Sequence, residues 1–133
     1  MARQIITGTL FTGVGQATGF TRMDWAREAF QARVGIDPFP GTVNLRIDDE
    51  EAQAGWVRVR ASAGIVIQPP RSDWCNARCY RARIAGSIEA AIVLPEIGGY
   101  PKDQVELIAP VGVRAALGIA DGDRVSIEVE IDD

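Results

Sequence analysis

The chain has 133 residues, with 47% hydrophobic and 24% charged side chains, no histidine and a formal net charge of −4. That composition fits one globular domain over residues 1–133, large enough to fold without a disulfide or metal staple. The acidic balance argues against a nucleic-acid partner, and the missing histidine excludes His-based triads, His general bases and His metal sites. In chain order, residues 3–12 are β-branched and apolar and read as a strand. The glycine-rich stretch Gly13-Val14-Gly15-Gln16-Ala17-Thr18 follows, and such a loop can turn its N–H groups inward around a phosphate. It fails the dinucleotide fingerprint, because Thr18 stands where a third glycine belongs; an ordinary glycine-rich turn stays open. Residues 24–34 carry Trp25, Ala26, Ala29, Phe30 and Val34 on one helical face, with Thr21 and Asp24 resembling a capping box and Gly35 as a stop.

The stretch Pro38-Phe39-Pro40-Gly41 leads into residues 42–47, whose alternation predicts a half-buried strand. Thr42 and Asn44 then share one strand face, and their two oxygens can ligate a hard cation such as Mg²⁺ when phosphates supply the other ligands. A solvent-facing strand edge is the plainer account of the same spacing. Asp48-Asp49-Glu50-Glu51 reads as a solvated loop, and the alternating residues 56–60 as a strand. Further strands are expected at 65–67, ended by Pro69-Pro70, at 80–84, 90–94 and 105–108, and at 125–131. A short second helix opens at Pro110, lines Val113, Ala116 and Leu117 along one side, and stops at Gly118. Seven or eight short strands separated by Gly, Pro and Asp turns describe a sandwich or barrel carrying two helices.

Glu106 alternates away from apolar neighbours, which predicts exposure, and Arg114 in the short helix can neutralise a phosphate. Cys75 and Cys79 lack the partners for a zinc site and read as reduced structural thiols. Arg78, Arg81 and Arg83 read as a solvated strand face. The single lysine, Lys102, belongs to no Gly-Lys-Ser/Thr string, so phosphate chemistry must rely on backbone amides, arginines and a metal. No apolar run reaches the ~18 residues of a membrane span, and Met1–Ile6 is too polar for a signal peptide; a cytoplasmic monomer is expected.

Taken together, Thr-Gly-Val-Gly (12–15), Phe20-Thr21, a helix, Pro-Gly-Thr-Val-Asn-Leu (40–45), Ala-Ile-Val-Leu-Pro (91–95), Val-Glu-Leu-Ile-Ala-Pro (105–110), Arg114 and Asp-Gly-Asp-Arg-Val (121–125) resemble the archaeal-type CTP-dependent riboflavin kinases. The resemblance runs from about residue 6 to residue 131, and the helix-turn-helix domain that some members carry in front is not expected. It implies a mainly β fold, a compact six-stranded cradle-loop (RIFT-like) barrel with two short helices. It also implies phosphoryl transfer from CTP to the riboflavin 5′-hydroxyl, with CDP and FMN as products and Mg²⁺ as cofactor. Carried over by position, Gly13, Val14, Gly15, Gln16, Ala17 and Thr18 would wrap the nucleotide's phosphates, with Val111, Gly112, Val113 and Arg114 bordering it. Thr42 and Asn44 would hold Mg²⁺; Glu106 would contact the flavin and is the one matching candidate for a general base. The chain departs from the family pattern at Ala17, where a glycine is usual, and at Gly98, where a flavin-contacting threonine is expected eight residues before Glu106. A binding module with an altered acceptor or little turnover is therefore the alternative to a kinase.

Overall fold

The computed structural model describes residues 2–13 and 18–131, so Val14, Gly15, Gln16 and Ala17 lie outside the described residues. Strand β1 (Ala2–Phe11) leads through a short 3-10 helix (Thr18–Arg22) to helix α1 (Asp24–Val34), strand β2 (Val43–Arg46) and helix α2 (Glu50–Ala61). Strands β3 (Ile65–Ile67), β4 (Ala77–Ile84), β5 (Ile88–Pro95) and β6 (Gln104–Ile108) follow, then helix α3 (Val113–Leu117) and strand β7 (Arg124–Ile131). The sheet order is β3-β4-β5-β6-β2-β1-β7, and β7 pairs back onto β4. This closes six antiparallel strands into a barrel and so removes their free edges. β3 stands outside the ring: it pairs with β4 over Ala77–Cys79, and β7 takes the same edge over Ala82–Ile84.

Two cores share the barrel wall. Alternate residues of β4, β5 and β6 (Tyr80, Ala82, Ala90, Ile92, Val105 and Leu107) join Ile6, Leu10 and Leu45 in the larger cluster. Their neighbours Cys79, Ala91, Val93 and Ile108 point the other way and pack under Ala26, Phe30 and Val34 of α1. A strand covered on both faces needs apolar residues at consecutive positions, which explains the unbroken run Ala90–Val93. Burial pushes the Cys79 thiol up to about 12, and both cysteines are free.

Residues 50–61 correct the sequence reading. The expected strand at 56–60 is part of helix α2, so the described residues carry three α-helices rather than two. Ala52, Gly55, Trp56 and Val59 are buried at helical spacing, whereas Val57 is exposed. The acidic run is no solvated loop either. Asp49 caps the helix by accepting from the Ala52 N–H at 2.8 Å, and Glu50 and Glu51 meet the positive end of the helix dipole. Gly55 permits close approach to β1: a Cβ there would stand 2.9 Å from Gln4 Nε2. The expected capping box at α1 is also absent. Met23 occupies the cap with no side-chain bond, and the Thr21 hydroxyl accepts from the Gly41 N–H at 2.9 Å instead.

Candidate active site

The turn before β2 is built from backbone. Pro38 and Pro40 stiffen the chain on either side of Phe39, whose N–H donates to the Ala109 carbonyl at 2.8 Å. Gly41 has φ +97°, a region that favours glycine, and its N–H is held by Thr21. Thr42 follows immediately, so its position is set by these ties.

On β2, Leu45 belongs to the barrel interior, so Asn44 and the residue two before it face outward. Asn44 stands opposite Glu106 of β6 in the sheet register, which brings Thr42, Asn44 and Glu106 onto one outer strip beside the patch that α1 covers. Glu106 is fully buried, contrary to the exposure expected from its alternation. The Thr42 hydroxyl donates to Glu106 Oε2 at 3.1 Å; Tyr100 Oη (2.9 Å) and Gln104 Nε2 (3.1 Å) donate to Oε1. Neutral donors thus engage both carboxylate oxygens. Asn44 is 7% exposed, and its Oδ1 accepts no hydrogen bond. A buried acceptor without a partner is uncommon, and here its neighbour is a threonine oxygen whose proton is turned toward Glu106. That pair fits a hard, oxygen-seeking cation. Among the described residues no group of three His, Cys, Asp or Glu could hold a metal unaided, so further ligands would have to come from a bound phosphate.

Next to Thr42 lies a cavity of about 290 Å³ between Phe39–Val43 on one wall and Val111–Ala115 on the other. Gly112 lies against the Phe39 ring, where a Cβ would stand in ordinary contact at 3.4 Å. Arg114 donates to Asp121 Oδ1 at 2.6 Å and to the Thr12 hydroxyl at 3.2 Å, while Thr12 donates to Asp121 Oδ2 at 2.9 Å. The Arg114 bond, then the Thr12 bond, holds the Asp121 carboxyl below the usual carboxylate range. This triad ties Thr12, the residue before the glycine-rich stretch, to Arg114 of helix α3. Thr18 lies in the 3-10 helix.

Tyr100 and Gln104 carry no role in the sequence reading. Gln104 has a legible signal, since it sits two before Glu106 on one strand and must share its face. Tyr100 has none, because its reach to Glu106 depends on the Gly98-Gly99 turn, with Gly99 at φ +80°. Gly98 is exposed, and a Cβ there would meet nothing within 4 Å. Tyr100 also lines a second cavity of about 460 Å³ with Trp56, Arg60, Arg78, Glu96 and Lys102. Arg78 is drawn inward there, donating to the Arg60 and Ser62 carbonyls and to Glu96, so it is no solvated strand residue.

A closed antiparallel barrel whose outward polar strip, with its buried carboxylate, borders a loop-lined cavity defines the class: a closed β-barrel with a candidate small-molecule site on its wall. The comparisons with known proteins then give the family. The family described as "CTP-dep_RFKase: Domain of unknown function DUF120" matches residues 10–129. Proteins named riboflavin kinase from Archaeoglobus fulgidus and Methanocella arvoryzae are 38% and 34% identical over 127 and 126 residues, covering 93% and 95% of this chain. One of the same name from Pyrobaculum arsenaticum is 33% identical over 128 residues. The alignments take in 54%, 57% and 60% of those relatives, so the chain spans somewhat over half their length. The chain belongs to the CTP-dependent riboflavin kinase family.

Proposed function

We propose that this chain transfers the γ-phosphoryl group of CTP to the 5′-hydroxyl of riboflavin, giving FMN and CDP. The observation that carries this is the buried Glu106, bonded to Thr42 and in register with Asn44, whose Oδ1 accepts no hydrogen bond, near a cavity suited to a nucleotide. In the reaction the 5′-oxygen bonds to the γ-phosphorus, the bond from that phosphorus to the β-bridging oxygen breaks, and the hydroxyl proton passes to Glu106. Phosphoryl transfer needs little covalent help from a protein, so positioning and charge stabilisation suffice in a chain without histidine.

Thr42 and Asn44 would hold Mg²⁺, which when bound neutralises charge on the phosphate oxygens. Gly13, Thr18 and the intervening residues would wrap the phosphates, and Val111, Gly112, Val113 and Arg114 would border the nucleotide. Gly98 and Glu106 would border the flavin. No helix of the described residues is long and apolar enough to cross a membrane; a cytoplasmic location and a monomeric state stay proposals of the same reading.

The test is calorimetric titration of CTP with Mg²⁺, with and without riboflavin, followed by an assay for FMN. Binding of both ligands with FMN formation is the expected result. Nucleotide binding without flavin binding would favour a module with a changed acceptor, as the absent side chain at Gly98 suggests. Binding of neither would sink the reading.

A further inference from the structure

The hydrogen bonds around Glu106 divide by origin. Oε2 is held by Thr42, from the strand that also carries Asn44 and borders the 290 Å³ cavity. Oε1 is held from the opposite side by Tyr100 and Gln104, which also approach each other at 3.5 Å. A carboxylate with both oxygens engaged cannot swing, so its orientation depends on both sets of donors. Tyr100 differs from Gln104 in how it gets there. It comes from the turn between β5 and β6, and its ring lines the second cavity while its hydroxyl reaches the carboxylate. Burial, and after it the charge of Glu106, push the Tyr100 phenol above its ordinary range, so across physiological pH it donates a proton to this bond and does not remove one from a substrate.

We propose that Tyr100 is a positioning residue for the acceptor half of the reaction: its hydroxyl aims Glu106 Oε1 at the incoming acceptor hydroxyl, while Thr42 keeps Oε2 on the nucleotide side. This supplies, from residue 100, a hydroxyl beside Glu106 where Gly98 offers no side chain. It rests on the proposed kinase function and goes beyond it in assigning Tyr100 a role in acceptor handling that leaves nucleotide binding alone.

The experiment uses Tyr100→Phe in the full chain, with riboflavin and CTP varied separately, CTP–Mg²⁺ affinity measured by calorimetry, and tyrosine ring carbons followed by ¹³C NMR. kcat/KM for riboflavin should fall about tenfold, while KM for CTP and the calorimetric CTP affinity hold within about twofold. Added to Glu106→Gln, Tyr100→Phe should cost less than about twofold more, because residues acting as a unit are not additive. Unchanged riboflavin kinetics, an equal loss of CTP affinity, or multiplying losses would overturn the assignment. A wild-type chain that binds CTP yet makes no FMN defeats the kinase reading instead, and the spectroscopic arm then decides on Tyr100. Its ring carbon should stay in the protonated position through about pH 11 and titrate at lower pH in Glu106→Gln; an ordinary wild-type phenol titration near about 10 would overturn the contact.

Discussion

The Phe39–Val43 side of the cavity is tied through its backbone amides, whereas the side of Glu106 facing Tyr100 is held by side-chain donors. On the first side the Phe39 and Gly41 amides are tied to the Ala109 carbonyl and the Thr21 hydroxyl, and Gly41 takes a φ of +97° that favours glycine. On the second, two side chains reach one carboxylate from a turn and a strand end. A backbone-built wall tolerates changes of side chain that leave its dihedrals alone. A side-chain network fails when a single donor or acceptor is lost, because the remaining partners stay buried. Substitutions on the two sides should therefore separate nucleotide effects from acceptor effects.

Glu106→Gln should give the largest effect. It removes the carboxylate charge and the proposed base while keeping one acceptor oxygen, and kcat/KM for riboflavin should fall about a hundredfold or more. CTP–Mg²⁺ affinity by calorimetry should stay as in the wild type; an equal fall would erase the distinction between the two sides. Asn44→Ala comes next. One lost oxygen ligand should weaken CTP affinity about tenfold with Mg²⁺ present and little without it. Because Asn44 Oδ1 has no hydrogen-bond partner to lose, thermal unfolding should shift little. Unchanged metal-dependent binding would remove Asn44 from the site.

Gly41→Ala addresses the backbone directly. At φ +97° a Cβ is strained whatever the space around it, so stability should fall by about 1–2 kcal/mol. CTP affinity should fall with it, and riboflavin binding should not. Gly98→Thr is the smallest. The site is open and its φ lies outside the left-handed region, so melting should not change. A hydroxyl reaching the flavin would raise riboflavin affinity by about two- to threefold, the worth of a weak exposed hydrogen bond. No gain would mean that a side chain at residue 98 does not reach the flavin.

Much of this site could be read in the chain, and the reasons are local. Thr42 and Asn44 share a face because a strand has a period of two, and the strand was legible from its alternation. Helix α1 and the strands at 65–67, 80–84, 90–94, 105–108 and 125–131 lie where periodicity and turn residues put them; helix α3 stops at Gly118 as expected but opens at Val113 rather than Pro110, and Ala116 is exposed. Helix α2 did not, because Trp56-Val57-Arg58-Val59-Arg60 alternates as a strand does. The deciding features were the cap at Asp49 and the apolar spacing Ala52, Gly55, Trp56, Val59, which require a partner surface to be told from a strand. Burial of Glu106 was hidden for the same reason: alternation says which side of a strand a residue takes, not whether that side is covered.

By itself the sequence determined the strands of the barrel wall, helices α1 and α3, the absence of histidine, and the motifs that tie the chain to its family. These depend on contacts a few residues apart. The tertiary structure alone decided that the ring closes through β7 and β4, that Asn44 and Glu106 stand in register, and that Tyr100 reaches the carboxylate. Each of those joins residues brought together only by folding, and no local period encodes a pairing between distant strands.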